Sequence, residues 1–453
     1  MTEANIAIVG GGAASVALLK ELAISSDFTG SVCTIAPYPL GVSQAFTAPL
    51  PALTNTPVHN NSLSHRDTAD FHRFLTERGW PYNINDFTPR LLVANYVKET
   101  TRRTTSQLGD RHHHMIGYAT DIVKDSYSRW RIVGSHEEVI ADAVVLSGGL
   151  GVPLQSIPLG LRNRLVGATI RSGQQLNSCA HRSRPDSPVL ILGTKLSAIE
   201  LALAILDRGG SVCLASPSGV LPAVRTILGP STSNRTPNTA DLRTSIDGCL
   251  QWSNTSLAEL EARAVSDPLD LLKYEISEAE AGANLWQHRI GTIIDEINAT
   301  EFTGSAHLKT QMATVRTFNS RFISAMPLES ATKLQNAAAD GRFRVKKLTN
   351  LEVESTSFSS VLSAQGFEPP RSPQWISAEH LSLDGQGIIS AELSNSLEYR
   401  NPDDSRSNIW ALGTRSWSVV PIVNYLRTAV LQVPKLAKSI SQPAEQPFVG
   451  ETI

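Results

Sequence analysis

The first segment whose residue types could do chemistry is a glycine-rich stretch near the start of the sequence. Its residues are Gly10, Gly11, Gly12, Ala13, Ala14 and Ser15. It follows an apolar, strand-like run at 5–9 and precedes a helical pattern at 16–23, which is the order that binds a pyrophosphate. Gly10 permits the tight turn, Gly12 lets the backbone approach the phosphates, and the helix N-terminus offers N–H groups and a positive dipole. The segment predicts a dinucleotide phosphate site, with a purely structural turn as the alternative.

A second segment repeats this layout, but one of its glycines is replaced. Gly193 follows the apolar run 187–192, and a helical pattern covers 199–207. Lys195 stands where the middle glycine would let a phosphate approach the backbone, and Ser197 follows at the start of the predicted helix. Three alternatives remain open: the lysine blocks a second dinucleotide, its ammonium group contacts a phosphate, or the turn only packs a strand against a helix.

The acidic residue that binds ribose hydroxyls, expected about twenty positions after the first turn, is missing. The second predicted strand, 31–36, ends at Ala36 instead of Asp or Glu. Two interpretations follow from this replacement. Either Ser43 or Gln44 binds the ribose, or that contact is lost.

Other patterns exclude several other chemistries. The sequence contains no Gly-x-Ser-x-Gly motif, no His-Glu-x-x-His motif and no P-loop, so hydrolase, zinc protease and P-loop chemistry have no support. Consecutive residues point in different directions, so the run His112–His114 is interpreted as solvated and no metal site is expected. The four cysteines are far apart, which disfavours a disulfide framework and favours a reducing, cytoplasmic location.

The charge balance and the hydropathy pattern limit the kinds of partner that the protein is expected to bind. The 453 residues include 40 Lys+Arg and 42 Asp+Glu, a formal net charge of −2, which gives no electrostatic basis for binding nucleic acid. No apolar run of about 18 residues occurs, so no membrane-spanning helix is expected. The partner that these patterns leave is a small-molecule substrate, and the oligomeric state stays undetermined.

The order of the predicted elements indicates an α/β fold built from two strand–turn–helix units. Helices are expected at 67–78, at 89–103 and, near the end of the sequence, at 421–439. The stretch 47–63 is rich in Pro, Asn, Thr and Ser, and it is predicted to be a long irregular loop. A helical insertion is expected at about 230–340.

Beyond the two glycine segments, further stretches in the same order and spacing resemble a known family. The matching segments are 10–15, 45–47, 53–55, 70–75, 88–96, 142–149, 189–198, 206–209, 216–222, 363–366 and 410–413. Together they resemble the FAD-NAD(P)-binding family, whose relatives include the flavin-dependent N-hydroxylating monooxygenases. The resemblance implies two Rossmann-like dinucleotide-binding domains: an FAD domain at 1–170 continued at 355–453, and an NAD(P)-binding-like domain with the helical insertion at 171–354.

The resemblance also implies cofactors, and the sequence departs from it at the places that bind them. FAD is implied on the first glycine turn and NADPH on the second. The departures are Ala36 for an acid, Lys195 for a glycine, and Gly148 and Gln365 for two threonines in the crossovers between the domains. These departures bear on NADPH use more than on the fold, so NADPH remains an open alternative.

The resemblance further implies that the loop after Gly413 lies near the flavin ring. Pro421, a favoured first residue of a helix, then begins the last helix, whose N-terminal dipole would stabilise negative charge on the reduced flavin. Trp417 either shields the ring or packs in the protein. Asn55 either faces the flavin or the substrate, or is an ordinary turn residue.

The resemblance implies an FAD-dependent oxidoreductase, and specifically a monooxygenase that acts on a small metabolite, either amine-bearing or not, in a biosynthetic pathway. The first alternative is an FAD-dependent oxidase or dehydrogenase that takes electrons from its substrate without NADPH, which Lys195 favours. The second is a non-catalytic flavin-binding or scaffold protein, which Ala36 and the altered crossovers favour. No catalytic acid or base is assigned by the sequence.

Overall fold

Two sheets with mainly parallel strands organise the chain. The computed structural model describes residues 2–43, 46, 52–127, 129–149, 151, 153–154, 165–167, 173–231, 241–264, 267–300, 302, 305–350, 358–367, 393–400 and 406–441. The strands are β1 (Thr2–Val9), β2 (Val32–Ala36), β3 (Leu53–Pro57), β4 (Phe87–Pro89), β5 (His112–Ile116), β6 (Ala119–Lys124), β7 (Trp130–Gly134), β8 (Glu138–Leu146), β9 (Leu165–Gly167), β10 (Val189–Leu192), β11 (Val212–Ser216), β12 (Val224–Arg225), β13 (Met326–Pro327), β14 (Phe343–Lys347), β15 (Ser360–Ser363), β16 (Glu398–Arg400) and β17 (Arg406–Ala411).

Helices cover the faces of these sheets and fill the segment between β12 and β14. The α-helices of seven residues or more are α1 (Ala13–Ile24), α2 (Asp70–Thr76), α3 (Arg90–Leu108), α4 (Gly173–Arg182), α5 (Leu196–Leu206), α6 (Leu242–Leu250), α7 (Leu257–Arg263), α8 (Pro268–Glu280), α9 (Ile290–Ala299), α10 (Ser305–Thr314), α11 (Leu328–Ala339) and α12 (Leu426–Ser441). Within the ranges above, no helix combines the length and the apolar character needed to cross a membrane.

The larger sheet has β1 near its centre. Its main strand order is β16-β17-β8-β1-β2-β5, and β6 and β7 extend it beside β8. β1 runs parallel to both β2 and β8. Ile6 and Ile8 pack into the apolar cluster that contains α1, whereas Ala7 belongs to the cluster on the other face. Burial on both faces explains why residues 6–8 of this strand are all apolar rather than alternating with polar residues.

The smaller sheet repeats this arrangement with strands of parallel direction. Its order is β14-β11-β10-β15-β9. The central strand β10 directs Val189 and Ile191 into the cluster with α5, and Leu190 and Leu192 into the cluster on the opposite face. The predicted α/β fold with two Rossmann-like units is therefore confirmed, because each unit has a central parallel strand that leads through a glycine turn into a helix.

The strand β15 corrects one expected boundary. It pairs in parallel with β10, with Val189 opposite Ser360, so Ser360–Ser363 belongs to the smaller sheet. The sequence analysis had assigned residues from 355 onwards to the first domain. All four residues of this strand are buried, as expected for a strand covered on both faces. The other domain boundaries stay predictions.

The described part of the stretch predicted as an irregular loop contains regular structure. Leu53–Pro57 forms β3, which pairs antiparallel with β4. A short 3-10 turn follows at Val58–Asn61, and all four of its side chains are buried. The Pro- and Asn-rich composition suggested a loop because local propensity cannot register the pairing with a strand that lies thirty residues further along.

Candidate functional site

The first glycine turn brings β1 against the end of β8. Gly10 has φ +130°, and a Cβ at this position would lie 2.2 Å from the carbonyl oxygen of Ser147. Only glycine fits such a conformation and such a contact. The Gly10 N–H donates to the Ile35 carbonyl at 2.9 Å, and the Ser15 hydroxyl donates to the Gly10 carbonyl at 2.9 Å. These bonds hold the turn in place under the start of α1.

The N-terminus of α1 is open to a ligand. Gly12 occupies the N-cap position with extended backbone (φ −80°, ψ −172°), and no side chain caps the helix. A Cβ at Gly12 would meet nothing within 4 Å, so free space lies above the turn. The first N–H groups of a helix have no partner inside the helix, and together with the dipole they favour a phosphate. These residues therefore fit the diphosphate of FAD.

Only some of the residues that could bind a ribose lie in the described part of the chain. Ala36, at the end of β2, is buried and lies against Gly11. The Gly41 N–H donates to the Gly11 carbonyl at 2.8 Å, which folds the following loop over the turn. Ser43 is partly buried beyond this contact, and Gln44 lies outside the described residues. The assignment of a ribose partner stays a prediction.

Gly413 lies against the start of α1, and the expected position of the following loop near a flavin ring stays a prediction. A Cβ at Gly413 would lie 3.4 Å from the Cβ of Ala14 at the start of α1. The Gly413 N–H donates to the side-chain oxygen of Gln432 at 2.8 Å. The side-chain amide of Gln432 donates to the Ser416 hydroxyl at 2.9 Å, so α12 fixes this loop at two points. Trp417, which follows, is partly buried.

Arg415, in this loop, is a cation that the sequence analysis missed. Its Nη2 would lie 3.3 Å from a Cβ at Gly148, the residue that follows the Ser147 carbonyl. Burial lowers the pKa of Arg415, and Tyr399 offsets part of that shift. Arginine remains charged over the ordinary pH range, so a positive group stands beside the first glycine turn. No local pattern indicates it, because Arg415 and Gly148 are far apart in sequence.

Asn55 lies where three parts of the chain meet. Its backbone carbonyl accepts a hydrogen bond from Nη1 of Arg225 at 2.8 Å. Arg225 is buried, and its Nη2 donates to the carbonyls of Phe322 and Ile323 at 2.6 and 2.8 Å. Tyr425, just before α12, accepts from the same guanidinium group at 3.3 Å. Arg225 thus joins β3, the helical segment and the loop before α12, and sequence analysis did not single it out.

Pro421 does not begin the last helix, which corrects a prediction. The helix begins at Leu426. The backbone of Ile422 is bound instead by the side chain of Asn298 on α9, which accepts from its N–H at 2.9 Å and donates to its carbonyl at 3.3 Å. Arg427 then makes two bonds to Asp295, at 2.7 and 2.9 Å. These contacts with α9 hold residues before Leu426 in a loop, although Pro421 favours a helix start.

The second glycine turn has nearly the same backbone as the first. Gly193 has φ +125°, and a Cβ there would lie 2.2 Å from the carbonyl oxygen of Ala364. Its N–H donates to the Ala215 carbonyl at 2.7 Å. Lys195 is the N-cap of α5, with φ −94° and ψ −175°, and no side chain caps the helix. The Nζ of Lys195 contacts the Val220 carbonyl at 3.4 Å.

The ammonium group of Lys195 is in an unfavourable environment. Burial lowers its pKa to about 8, and repulsion from Arg321 and Arg316 adds to the shift. Ser197, one helical position further, is exposed. At the N-cap of the second turn a lysine stands where the first turn has Gly12.

An ion pair connects the two units near this second turn. Arg90, at the start of α3, lies 2.5 Å from Glu200 on α5. Burial raises the pKa of Glu200, and the charge of Arg90 opposes that shift. The pair fixes α5 against the first unit, and it joins residues too distant in sequence for motif analysis to link.

The three histidines of β5 are not uniformly solvated. His112 and His114 point to one side, where they lie 3.1 and 2.8 Å from the Thr34 hydroxyl, while His113 is exposed on the other side. Burial and the neighbouring histidines lower the pKa of His112 to about 4. In the part of the chain that is described, no group of three or more His, Cys, Asp or Glu side chains is placed to hold a metal ion.

Comparison with known proteins gives one family match. Residues 7–151, which contain the first glycine turn, β2 and β8, match a family model described as FAD-NAD(P)-binding. No curated protein sequence matches the chain significantly.

Solved structures resemble the chain over nearly its full length. An ornithine N-hydroxylase from Kutzneria sp. 744 is 15% identical, with 97% of this chain and 99% of that chain covered and a TM-score of 0.59. An L-lysine 6-monooxygenase from Pseudomonas syringae is 14% identical, with 96% and 99% covered and a TM-score of 0.57. A cadaverine monooxygenase from Erwinia amylovora is 12% identical, with 100% and 99% covered and a TM-score of 0.56.

These similarities confirm the resemblance inferred from the sequence. At such low identities they establish the fold rather than the substrate. The chain therefore combines an FAD-NAD(P)-binding family match over its first Rossmann-like unit with the fold of the flavin-dependent N-hydroxylating monooxygenases.

Proposed function

We propose that the chain is an FAD-dependent monooxygenase that hydroxylates the amine nitrogen of a small metabolite in a biosynthetic pathway. The observation that carries the proposal is the uncapped N-terminus of α1 with free space above Gly12. This arrangement is a site for a diphosphate, and it lies within the segment that matches the FAD-NAD(P)-binding family. The enzyme class follows from the fold shared with amine monooxygenases.

The residues of the chain would hold FAD in a defined order. The N–H groups at the start of α1 would bind its diphosphate, and Arg415 would add positive charge beside it. The loop after Gly413, fixed by Gln432, would lie along the cofactor next to Ala14. FAD, once bound and reduced, supplies the two electrons with which O2 oxidises an amine to a hydroxylamine. In that reaction one oxygen atom enters the product and the other leaves as water, with two protons consumed.

The substrate class rests on the fold relatives. These relatives act on ornithine, lysine and cadaverine, which are all small primary amines. The backbone carbonyls and side chains around Asn55 and Tyr425 lie where β3 and the loop before α12 approach each other. This region is the part of the described chain that we assign to the substrate side of the site.

One observation favours a second candidate function. Lys195 occupies the second glycine turn, and an oxidase or dehydrogenase that receives electrons from its substrate needs no nicotinamide there. In that reaction the amine loses two electrons and two protons to become an imine, and O2 is reduced to hydrogen peroxide.

A single-turnover experiment tests the proposal without any nicotinamide. The purified protein is loaded with FAD, the flavin is reduced anaerobically with dithionite, and the sample is mixed with O2 and a panel of ornithine, lysine and cadaverine. A hydroxylamine product supports the monooxygenase. A second sample, in which the FAD is left oxidised, is mixed anaerobically with each amine alone. Bleaching of its flavin, followed by formation of hydrogen peroxide when O2 is added, supports the oxidase. Failure of the protein to bind FAD at all removes both functions.

A further inference from the structure

We propose that Lys195 closes the second glycine turn to nicotinamide dinucleotides, so that the chain binds one dinucleotide, at the first turn. The inference concerns the reductant of the proposed enzyme and in that respect rests on the proposed function. Binding at the second turn can nevertheless be measured independently of any activity.

The two turns have the same backbone geometry up to the position in question. Gly10 and Gly193 have φ +130° and +125°, and in each case a Cβ would lie 2.2 Å from the carbonyl at the end of a neighbouring parallel strand. Gly12 and Lys195 are both N-cap residues, with φ, ψ of −80°, −172° and −94°, −175°. The backbone of the second turn is therefore preserved, and at the N-cap position the difference between the turns is the lysine side chain.

This near-identity fixes where the lysine side chain begins. A Cβ at Gly12 would point into space with nothing within 4 Å, and that space is where a diphosphate reaches the helix. Because Lys195 has the same φ and ψ, its Cβ points into the equivalent space above α5. A phosphate oxygen must come within about 3 Å of the helix N–H groups. Side-chain carbons need about 3.5 Å from any other heavy atom, so both cannot occupy that space.

The lysine is also held in position. Its Nζ contacts the Val220 carbonyl at 3.4 Å, and the same carbonyl accepts a bond from the Thr194 hydroxyl at 2.8 Å. The Thr194 hydroxyl lies 3.0 Å from that of Ser216, which accepts from the Gly219 N–H at 3.0 Å. The loop after β11 is thereby folded down onto the turn, and the ammonium group points towards the protein.

The alternative is that the ammonium group attracts the phosphates. The lysine offers one ammonium group, already bonded to the Val220 carbonyl, whereas the helix N–H groups offer several charge-assisted hydrogen bonds to a diphosphate. A side chain that blocks those N–H groups therefore lowers the affinity for a diphosphate by more than its positive charge raises it. Arg321 and Arg316 already repel the ammonium group, yet it stays directed at the Val220 carbonyl.

The test measures binding of NADP+, an unreactive probe, to the FAD-loaded protein by equilibrium dialysis. Three variants separate volume from charge: Lys195→Gly restores the missing glycine, Lys195→Ala removes most of the side chain, and Lys195→Met keeps the volume without the charge. Glycine is well tolerated at an N-cap, and the alanine variant provides a second measurement should Lys195→Gly fold poorly.

The wild type and Lys195→Met are expected to show no saturable binding up to about 1 mM NADP+. Lys195→Gly is expected to bind at least about tenfold more tightly than that limit, with Lys195→Ala between them. Saturable binding to the wild type overturns the proposal, and so does binding to Lys195→Met as tight as to Lys195→Gly. Unchanged, absent binding in both small-residue variants also overturns it, since Lys195 is then not what closes the turn.

The same samples distinguish this inference from the proposed function. FAD content is read from the visible spectrum of each variant before dialysis, and it should be equal in all four proteins. A protein without FAD contradicts the proposed function. A protein with FAD that binds NADP+ in its wild-type form contradicts only the closure by Lys195.

Discussion

The two glycine turns of this chain share a backbone conformation but differ in the residue at the N-cap of the following helix. Both place a glycine with positive φ against a strand carbonyl at 2.2 Å, and both lead into a helix without a side-chain cap. The first has Gly12 with open space above it, and the second has Lys195 folded onto the Val220 carbonyl. Gly10 and Gly193 make the close contact with the neighbouring strand, whereas the N-cap residue, Gly12 or Lys195, borders the space in which a ligand would reach the helix. The N-cap residue can therefore change while the backbone of the turn is kept.

The largest expected effect comes from the glycines that the two turns share. Gly10→Ala and Gly193→Ala each introduce a Cβ at 2.2 Å from a carbonyl oxygen, at a φ that alanine rarely adopts. Each variant should lower the free energy of unfolding by about 3 kcal/mol, measured by urea denaturation. Gly12→Ala is the matched control and should change it by less than about 0.5 kcal/mol. If Gly193→Ala were as stable as the wild type, the second turn would not share the geometry of the first.

The second-largest effect is expected when the N-cap residue of the second turn is introduced into the first turn. Gly12→Lys places on the first turn the residue that the second turn carries, at a backbone conformation that any residue adopts. FAD affinity should fall by at least about a hundredfold, which corresponds to about 2.7 kcal/mol, because the side chain fills the diphosphate space. Fluorescence titration of the apoprotein with FAD measures this, and thermal unfolding of the apoprotein serves as the control. Retained FAD affinity in Gly12→Lys would also weaken the argument about Lys195.

A smaller effect is expected at the cation that lies beside the first turn. Arg415→Met removes a positive charge next to Gly148 while it keeps much of the side-chain volume. FAD should bind about tenfold more weakly, and the difference from the wild type should shrink as salt is added. Arg102→Met, at an exposed site on α3, is the matched control and should leave FAD affinity unchanged. Equal affinities of Arg415→Met and the control would show that Arg415 does not act on the diphosphate.

The smallest effect concerns the pH dependence of stability at the second turn. The pKa of Lys195 is lowered to about 8 in the folded protein, from an ordinary value of 10.5. Between these values the unfolded chain still holds a proton that the folded chain has released, so stability rises with pH through this window. The stability of the wild type relative to Lys195→Met should increase by about 1.3 kcal/mol from pH 7 to pH 9.

Urea denaturation of both proteins at the two pH values makes this measurement, and titrations elsewhere in the chain cancel in the difference. A difference that falls with rising pH would mean that the folded protein stabilises the ammonium form. That result would favour a lysine poised to contact an anion over one enclosed by the loop after β11.

Much of the fold follows from local sequence patterns. The runs that become β1 and β10, and the glycines that end them, were predicted because apolar strands, tight turns and helices each have a short-range signature. The candidate diphosphate site followed as well, since all six of its residues are consecutive. Departures such as Lys195 were equally visible, because a motif defines what is expected at each of its positions.

The rest of the site could not be predicted from such patterns. Arg225 and Arg415 act on backbone and residues far from them in sequence, and a lone arginine has no signature that marks it as buried. The start of α12 was misplaced for a similar reason. Asn298 binds the backbone of Ile422, and this distant contact overrides the helix-favouring Pro421.

The sequence alone determined the two strand–turn–helix units and the identity of the residue on each turn, since these depend on neighbours within a few positions. The tertiary structure decided the direction of the Lys195 side chain, the cation beside Gly148 and the membership of Ser360–Ser363 in the smaller sheet. The physical reason is that these features are contacts between segments brought together by packing. Their energies depend on distances in space that no local pattern of residues encodes.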